Sequence, residues 1–233
     1  YSRKKIIQKE VEKVTILLDQ QKKVIQATIT TQEEERKRIA QDMHDAISSK
    51  LNVVNLTTHL LLADESINKE QRNSLSHILE INSKTLESSR KIAHDLLPPV
   101  LDKFGLKVAL EELFEEFTKS NQIEIKSNIE ELSFLNSTEE LHIFRILQEL
   151  INNSIRHGKA KLLDIKLVKV NETGFELNYN DDGIGFDTEK ISKNSGIGLQ
   201  NIESRVAILN GIFTVTSTPE KGSTFIVNCA TNG

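Results

Sequence analysis

Up to Leu62 the chain contains neither glycine nor proline. Because these two residues break helices most strongly, their absence predicts one very long N-terminal helix. Its first part carries positions that alternate spacings of four and three residues, the a and d seam of a coiled coil: Ile7, Val11, Val14, Leu18, Gln21, Ile25 and Thr28. A helix cannot bury such a narrow seam against itself, so we expect the same helix of a second chain to cover it.

A wider apolar face follows on the same predicted helix, typical of a bundle rather than a two-stranded coil: Ile39, Met43, Ile47, Leu51, Val54 and Leu61. The segment ADESINKEQ interrupts this pattern and predicts a turn. A second amphipathic helix is predicted from Leu75 to Leu96, and it ends at Pro98 and Pro99 because proline lacks the main-chain donor. Two antiparallel helices per chain, paired across a homodimer, would form a four-helix bundle.

Downstream of the prolines, strands interleave with helices, which predicts an α+β domain large enough for its own core. Helices are predicted over residues 105–120, 137–156 and 199–210. The second of these would begin with Ser137 and Glu140 as a capping-box pair. Alternating segments predict five strands, the last two of them as a hairpin: IEIKSNI, KLLDIKLVKV, GFELNYN, GIFTVTSTP and GSTFIVNCA.

Composition narrows the class of protein. The formal net charge is −4 without a basic block, so nucleic acid is not an expected partner. Cys229 is the only cysteine, which fits a reducing compartment and excludes an internal disulfide. No apolar run approaches the roughly 20 residues of a membrane helix, and the chain opens already in helical register. We expect a cytoplasmic portion of a longer protein, with a sensor or membrane segment upstream.

The segment ELINNSIRHG carries a first polar motif. Glu149 and Asn153 are four residues apart and so share a helix face. Their side-chain oxygens suit Mg²⁺, which takes few protein ligands and keeps several waters. Arg156 could reach phosphate oxygens. The alternative is a polar helix end capped by His157 and Gly158.

Two glycine motifs follow. In DDGIGF, a carboxylate at a strand end can accept a hydrogen bond from an exocyclic amine, and the glycines allow close approach of a planar ligand. In SGIGLQNIESR, Gly-x-Gly leads into a helix, where free amides and the helix dipole attract phosphate. Taken singly, DDGIGF also fits an ordinary turn, and SGIGLQNIESR also fits a loop before a helix.

The order of these motifs, closed by Gly-Ser-Thr on a strand, resembles the ATP-binding domain of sensor histidine kinases, gyrase and mismatch-repair ATPases. The resemblance implies an α/β sandwich that binds ATP and Mg²⁺. By motif, Asn153 would coordinate Mg²⁺. Glu149 would be a catalytic residue of the same box and would reach the metal directly or through water. Arg156 and His157 would contact the nucleotide.

The resemblance also implies an adenine side and a lid, formed by Asp181, Gly183, Gly185, Gly196, Gly198 and Thr224. Asp181 would bind the adenine amine in a pocket shaped by the next two glycines. The later glycine pair would form the hinge and the phosphate-side turn of the ATP lid. The Gly-Thr region that the family places beside adenine reads Gly-Ser-Thr here.

With such a domain downstream, ERKRIAQDMHDAISSKL resembles the phosphoacceptor box of the two-component subfamily in which His-Asp follows Arg-Ile-Ala. His44 would accept a phosphoryl group, which a neutral, exposed imidazole nitrogen can do. It would then pass the group to the receiver domain of a response regulator. Asp45 would take the proton or fix the imidazole tautomer. Ser49 stands where the subfamily usually carries Gln, Asn or Thr for regulator phosphatase activity, and serine reaches less far.

The leading interpretation is an ATP-dependent, homodimeric protein histidine kinase. Its parts would be a signalling coiled coil over residues 1–31, a dimerisation and phosphotransfer hairpin over 32–100, and the ATP-binding domain over 101–233. One alternative is an ATPase whose nucleotide-driven closure does mechanical work, without a stable phosphoprotein. The other is a non-enzymatic coiled-coil scaffold with a degenerate nucleotide domain.

Overall fold

The computed structural model describes residues 2–121, 123–188 and 197–229. It divides into two compact units, Thr30–Pro99 on the one hand and Tyr1–Ile29 with Val100–Gly233 on the other. Over the described residues, no helix holds a stretch that is both long and apolar enough to cross a bilayer. The three-part division into 1–31, 32–100 and 101–233 stays a prediction.

The predicted long helix is confirmed over the described residues, although its middle is not α-helical. Helix α1 spans Ser2–Asp42, a π-helical segment spans Met43–Ser48, and helix α2 spans Ser49–Leu62. The Ser48 hydroxyl donates to the Met43 carbonyl oxygen at 3.2 Å. Such π-helical turns inside α-helices often lie at functional sites.

Helix α3 spans Lys69–Leu96 and confirms the second predicted helix, beginning earlier than Leu75. Asn68 caps it, since its side chain accepts from the Gln71 amide while the Gln71 side chain accepts from the Asn68 amide. Buried polar contacts join α3 to the preceding helices. The Asn82 side-chain amide donates to the Leu51 carbonyl oxygen at 2.9 Å.

Helix α4 spans Pro99–Asn121, whereas the sequence predicted a helix only from Gly105. The predicted start is confirmed for the longer part of α4, because the non-helical dihedral angles of Gly105 separate it from a short helical segment that begins at Pro99. The sequence did not predict this short segment, although proline is well tolerated in the first turn of a helix. Gly105 has φ 79° and ψ 178°, so it kinks the helix at that point. The main-chain amide of Leu106, just past the kink, donates to the Glu140 carboxylate at 3.3 Å.

A five-stranded sheet follows in the order β1-β2-β3-β5-β4. The β1–β2 pair is parallel and the other three pairs are antiparallel, so the predicted strands and the closing hairpin are confirmed. The elements are β1 Glu124–Ile129, α5 Ser137–Asn153 with a π-helical extension Ser154–Gly158, β2 Leu162–Lys169, β3 Phe175–Asp181, α6 Ile197–Ile208, β4 Ile212–Ser217 and β5 Ser223–Cys229.

The N-terminus of α5 lies one residue away from the predicted cap. Asn136 is the N-cap, and it forms a capping box with Glu139 rather than the predicted Ser137–Glu140 pair. Its side chain accepts from the amides of Thr138 and Glu139, both at 3.0 Å. The prediction failed because the Asn-Ser-Thr run offers several cap residues in adjacent registers, and Glu140 bonds to α4 instead.

One face of the sheet forms the core of this unit with helices α4, α5 and α6. Alternate residues of β2, β3 and β5 are buried on that face, and they stand opposite one another in the strand register. The α5 residues facing them are fully buried: Ile143, Ile146, Leu147, Leu150 and Ile151. This arrangement confirms the predicted α/β sandwich, and it places the end of β3 beside the end of α5.

Candidate functional site

A cavity of about 590 Å³ opens at the C-terminal end of α5. Its walls come from α5 and its π-helical extension, the end of β3 with the following loop, the start of α6, and β5. Predicted residues from all three polar motifs line it: Glu149, Asn153, Arg156, His157, Asp181, Gly185 and Gly198. The fold therefore brings together segments that are far apart in the sequence.

Glu149 and Asn153 form a polar pair on one face of α5. The Asn153 side-chain amide donates to the Glu149 carboxylate at 3.3 Å. This bond leaves the Asn153 carbonyl oxygen and the second carboxylate oxygen as acceptors. Gly198 packs against the pair, because a Cβ added there would collide with the Glu149 Oε1 atom. Any larger residue at Gly198 would displace these oxygens.

Arg156 and His157 lie on the π-helical extension of α5 with exposed side chains. The extension ends at Gly158, and Lys159 follows as its C-cap with φ 52° in the left-handed region. The alternative of a cap by His157 and Gly158 is therefore wrong in register by one residue. The Gly158 carbonyl oxygen accepts from the Ile184 amide at 2.8 Å, which fastens the helix end to the loop after β3.

Asp181, at the end of β3, is held by donors from two elements. The Ser154 hydroxyl donates to Oδ2 at 3.0 Å, and the Gly183 amide donates to Oδ1 at 2.9 Å. The Tyr179 hydroxyl in turn donates to the Ser154 oxygen at 2.9 Å. Burial and the negative charge of Asp181 raise the pKa of Tyr179 well above its ordinary value, despite the bond to Ser154. The phenol therefore keeps its proton.

Close packing explains both glycines of the DDGIGF segment. A Cβ on Gly183 would lie 2.5 Å from the Gly158 carbonyl oxygen, and one on Gly185 would collide with the Thr218 carbonyl oxygen. Gly185 also has φ 59°, a conformation that glycine adopts readily. Asp182 has a different task, since its carboxylate accepts from the amides of Lys161 and Leu162.

Apolar side chains form the remaining walls: Ile184, Phe186, Leu199 and Phe225. Phe225 contacts Phe186 with ring centroids 6.4 Å apart and Tyr179 edge to face at 5.9 Å. The cavity thus combines apolar walls with a carboxylate at one side and an acid–amide pair at the other. Such a combination suits a planar heterocycle that carries a charged, metal-bound tail.

Of the predicted ATP-site residues that the structure describes, Gly183 and Thr224 do not line the cavity. The Thr224 hydroxyl donates to the Asn180 side chain at 2.7 Å, and Ser223 lines the cavity instead. Neighbouring strand residues point to opposite faces, so the two cannot both do so. Gly196 lies outside the described residues. The sequence reasoning missed Ser154, Tyr179 and Ser223, and a hydroxyl directly after the Asn153 motif was the available signal.

The His-Asp segment lies in the other compact unit. The main chain of His44 belongs to the π-helical segment, and its side chain lies outside the described part of the structure. Asp45 and Ser49 are exposed. Their assigned roles stay predictions.

Two protein-family models match the chain. Residues 138–231 match the family described as "Histidine kinase-, DNA gyrase B-, and HSP90-like ATPase", and residues 35–101 match a family described as "Histidine kinase". The two matches cover more than half of the sequence in the order expected of one protein. The chain belongs to the histidine kinase family.

Curated relatives carry related names. The sensor histidine kinase MctS of Rhizobium johnstonii is 34% identical over 209 residues, covering 87% of this chain and 44% of that protein. The oxygen sensor histidine kinase NreB of Staphylococcus carnosus is 29% identical over 206 residues, covering 87% of this chain and 58% of that protein. The chain spans about half the length of these relatives.

A solved structure also aligns with this histidine kinase chain. The histidine kinase domain of the blue-light activated histidine kinase EL346 from Erythrobacter litoralis covers 77% of this chain and 93% of its own, with a TM-score of 0.49 and 10% sequence identity.

Proposed function

We propose that this chain is the kinase portion of a sensor histidine kinase. It transfers the γ-phosphoryl group of ATP to His44, and from there to an aspartate in the receiver domain of a response regulator. The observation that carries this proposal is the cavity in which Glu149, Asn153 and Asp181 converge, in a chain whose helical segment also matches the histidine kinase family.

The adenine end of ATP fits the side of the cavity formed by Asp181 and the apolar residues. A carboxylate only accepts hydrogen bonds, so it suits the exocyclic amine of adenine. Gly183 and Gly185 keep the loop close to Asp181, where any side chain would collide with neighbouring main chain. Arg156 and His157, exposed at the rim, would meet the phosphates.

The donor set at the other side of the cavity fits Mg²⁺. Glu149 and Asn153 offer a carboxylate and an amide oxygen, which are hard ligands, and their mutual bond holds both side chains in place. Bound there, Mg²⁺ would neutralise charge on the phosphates. The packing of Gly198 against the pair keeps the start of α6 close to these ligands.

At His44, a ring nitrogen forms the new bond to the γ-phosphorus while the bond to the ADP oxygen breaks. We assign the displaced imidazole proton to Asp45, the next residue, whose carboxylate is exposed. The exposed Ser49 is the candidate for orienting a water in regulator dephosphorylation. A homodimer formed through α1 to α3 would provide the setting, and a sensor upstream would regulate it.

A labelling experiment separates this proposal from the two alternatives. The chain is incubated with γ-labelled ATP and Mg²⁺, and the protein is tested for label that is acid-labile and alkali-stable. We expect such label on the wild type and its loss in His44→Gln. The matched control is His59→Gln, an exposed histidine of α2, which should keep it.

Each other result points elsewhere. ATP hydrolysis without labelled protein would favour the mechanical ATPase. The absence of both ATP hydrolysis and labelled protein would favour the non-enzymatic scaffold. Label that persists in His44→Gln would refute the assignment of the acceptor.

A further inference from the structure

Ser154 lies buried between two functional groups of the cavity wall. Only 4% of its surface is exposed, and Tyr179 is fully buried beside it. Its hydroxyl joins β3 to the end of α5, because it bonds to the Asp181 carboxylate at 3.0 Å and to the Tyr179 hydroxyl at 2.9 Å. A buried hydroxyl with two partners of this kind is more than a space-filling side chain.

The direction of each hydrogen in this chain is fixed by chemistry. A carboxylate has no hydrogen to give, so Ser154 must donate to Asp181. Ser154 has only one hydroxyl hydrogen, so the Tyr179 phenol must donate to Ser154. The raised pKa of Tyr179 keeps that phenol protonated, which holds the chain in one direction over the whole neutral range.

Both carboxylate oxygens of Asp181 are therefore fixed, one by Ser154 and the other by the Gly183 amide at 2.9 Å. Rotating the carboxylate would break both bonds at once. Each oxygen accepts about two hydrogen bonds, so acceptor positions remain for a ligand. Hydrogen bonds to a charged group are worth about twice those between neutral groups, so the constraint is substantial.

We propose that Ser154 and Tyr179 are positioning residues that hold the Asp181 carboxylate as a hydrogen-bond acceptor and thereby make the cavity prefer an amino purine over an oxo purine. The inference rests on the proposed binding of adenine by Asp181. A 6-oxo purine has no hydrogen to donate where adenine has its amine. A carboxylate fixed opposite the O6 atom of a 6-oxo purine places acceptor against acceptor, whereas a carboxylate that is free to rotate can turn to accept from the N1–H group of that purine.

The test compares the binding of ATP and inosine triphosphate to the 233-residue chain by calorimetry in the presence of Mg²⁺. Ser154→Ala is expected to raise the Kd for ATP about tenfold and that for inosine triphosphate less than about twofold. Tyr179→Phe should reduce the preference for ATP over inosine triphosphate less than Ser154→Ala does, since Ser154 still donates to Asp181. The matched control is Ser204→Ala, because among the described residues that hydroxyl bonds only within its helix, to the Gln200 carbonyl oxygen.

A double variant distinguishes a relay from two separate effects. Since Tyr179 acts through Ser154, adding Tyr179→Phe to Ser154→Ala should leave the ATP preference at the level of Ser154→Ala. An additive loss would overturn the relay, and so would an equal weakening of both nucleotides. If Ser154→Ala does not fold, Tyr179→Phe alone decides: an unchanged preference refutes the proposal.

The underlying function is judged separately on the wild type. If the wild type binds both nucleotides equally, the adenine role of Asp181 is wrong and the relay falls with it. If the wild type prefers ATP and Ser154→Ala prefers it just as strongly, only the relay is refuted.

Discussion

Replacing Gly183 with alanine would force apart two walls of the cavity. The added Cβ would lie 2.5 Å from the Gly158 carbonyl oxygen and 2.8 Å from the Asp181 Oδ1 atom. Neither neighbour is the free end of a flexible side chain, since one is main chain and the other is held by hydrogen bonds. The bond from the Ile184 amide to the Gly158 carbonyl oxygen, 2.8 Å long, lies in the same contact.

The expected loss follows from two contributions. Overpacking by one methyl group costs about 1–3 kcal/mol, and weakening one main-chain hydrogen bond costs about 1 kcal/mol. We expect about 2 kcal/mol of this to appear at the ATP site, which corresponds to a roughly thirtyfold rise in Kd. The assay is calorimetric titration of the variant with ATP and Mg²⁺, with circular dichroism to establish that it is folded.

Gly158→Ala is the matched comparison for this prediction. In the part of the chain that the structure describes, its added Cβ would meet no atom closer than 3.9 Å, an ordinary contact. We expect its Kd for ATP to rise less than about threefold. A folded Gly183→Ala variant that binds ATP as tightly as Gly158→Ala would refute the packing argument and the place of Gly183 in the site.

Three further predictions concern the domain that carries the cavity. Burial raises the pKa of the Cys229 thiol to about 11, so alkylation of this thiol near pH 8 should be far slower in the folded chain than in urea. The free energy of unfolding should also fall as pH rises from about 9 to about 11. Equal alkylation rates of the folded and unfolded chains, measured by mass spectrometry, would contradict this prediction. Burial also raises the pKa of Glu140, so the contribution of this carboxyl to stability declines as pH rises through that pKa. The melting temperature of Glu140→Gln relative to that of the wild type should therefore increase from pH 4 to pH 7. A difference in melting temperature that stays constant with pH would contradict this prediction. Asn136→Ala should lower the unfolding free energy by about 1 kcal/mol, and Ser137→Ala should leave it nearly unchanged. The reverse order in denaturant titrations would favour Ser137 as the N-cap, as the sequence predicted.

Periodicity predicted the elements of this fold because each has one apolar face. The long helix needs no glycine or proline, and the alternating strands β2, β3 and β5 each bury one face. Local choices between equivalent registers were not predictable in the same way. Asn136 and Ser137 are both good cap residues, and only the main-chain dihedral angles decide between them.

Where the chemistry is local, the motifs predicted residues that line the cavity. Glu149 and Asn153 share a helix face by spacing alone, and Asp181 precedes its two glycines. Contacts between the helices and the sheet were not predictable, because nothing in the sequence says that Ser154 on the extension of α5 meets Tyr179 on β3. The sequence also did not reveal which residues of β5 face the cavity. It singled out Thr224, whereas the neighbouring Ser223 lines the cavity.

The most direct measurement of the central claim locates the phosphoryl group. After reaction with ATP and Mg²⁺, tryptic cleavage at neutral pH releases the peptide IAQDMHDAISSK, which contains His44 as its only histidine. We predict one phosphoryl group on this peptide by mass spectrometry, lost after brief acid treatment, as a phosphohistidine would be. An unphosphorylated peptide alongside ATP turnover, or a phosphoryl group that survives acid on Ser48 or Ser49, would contradict the account.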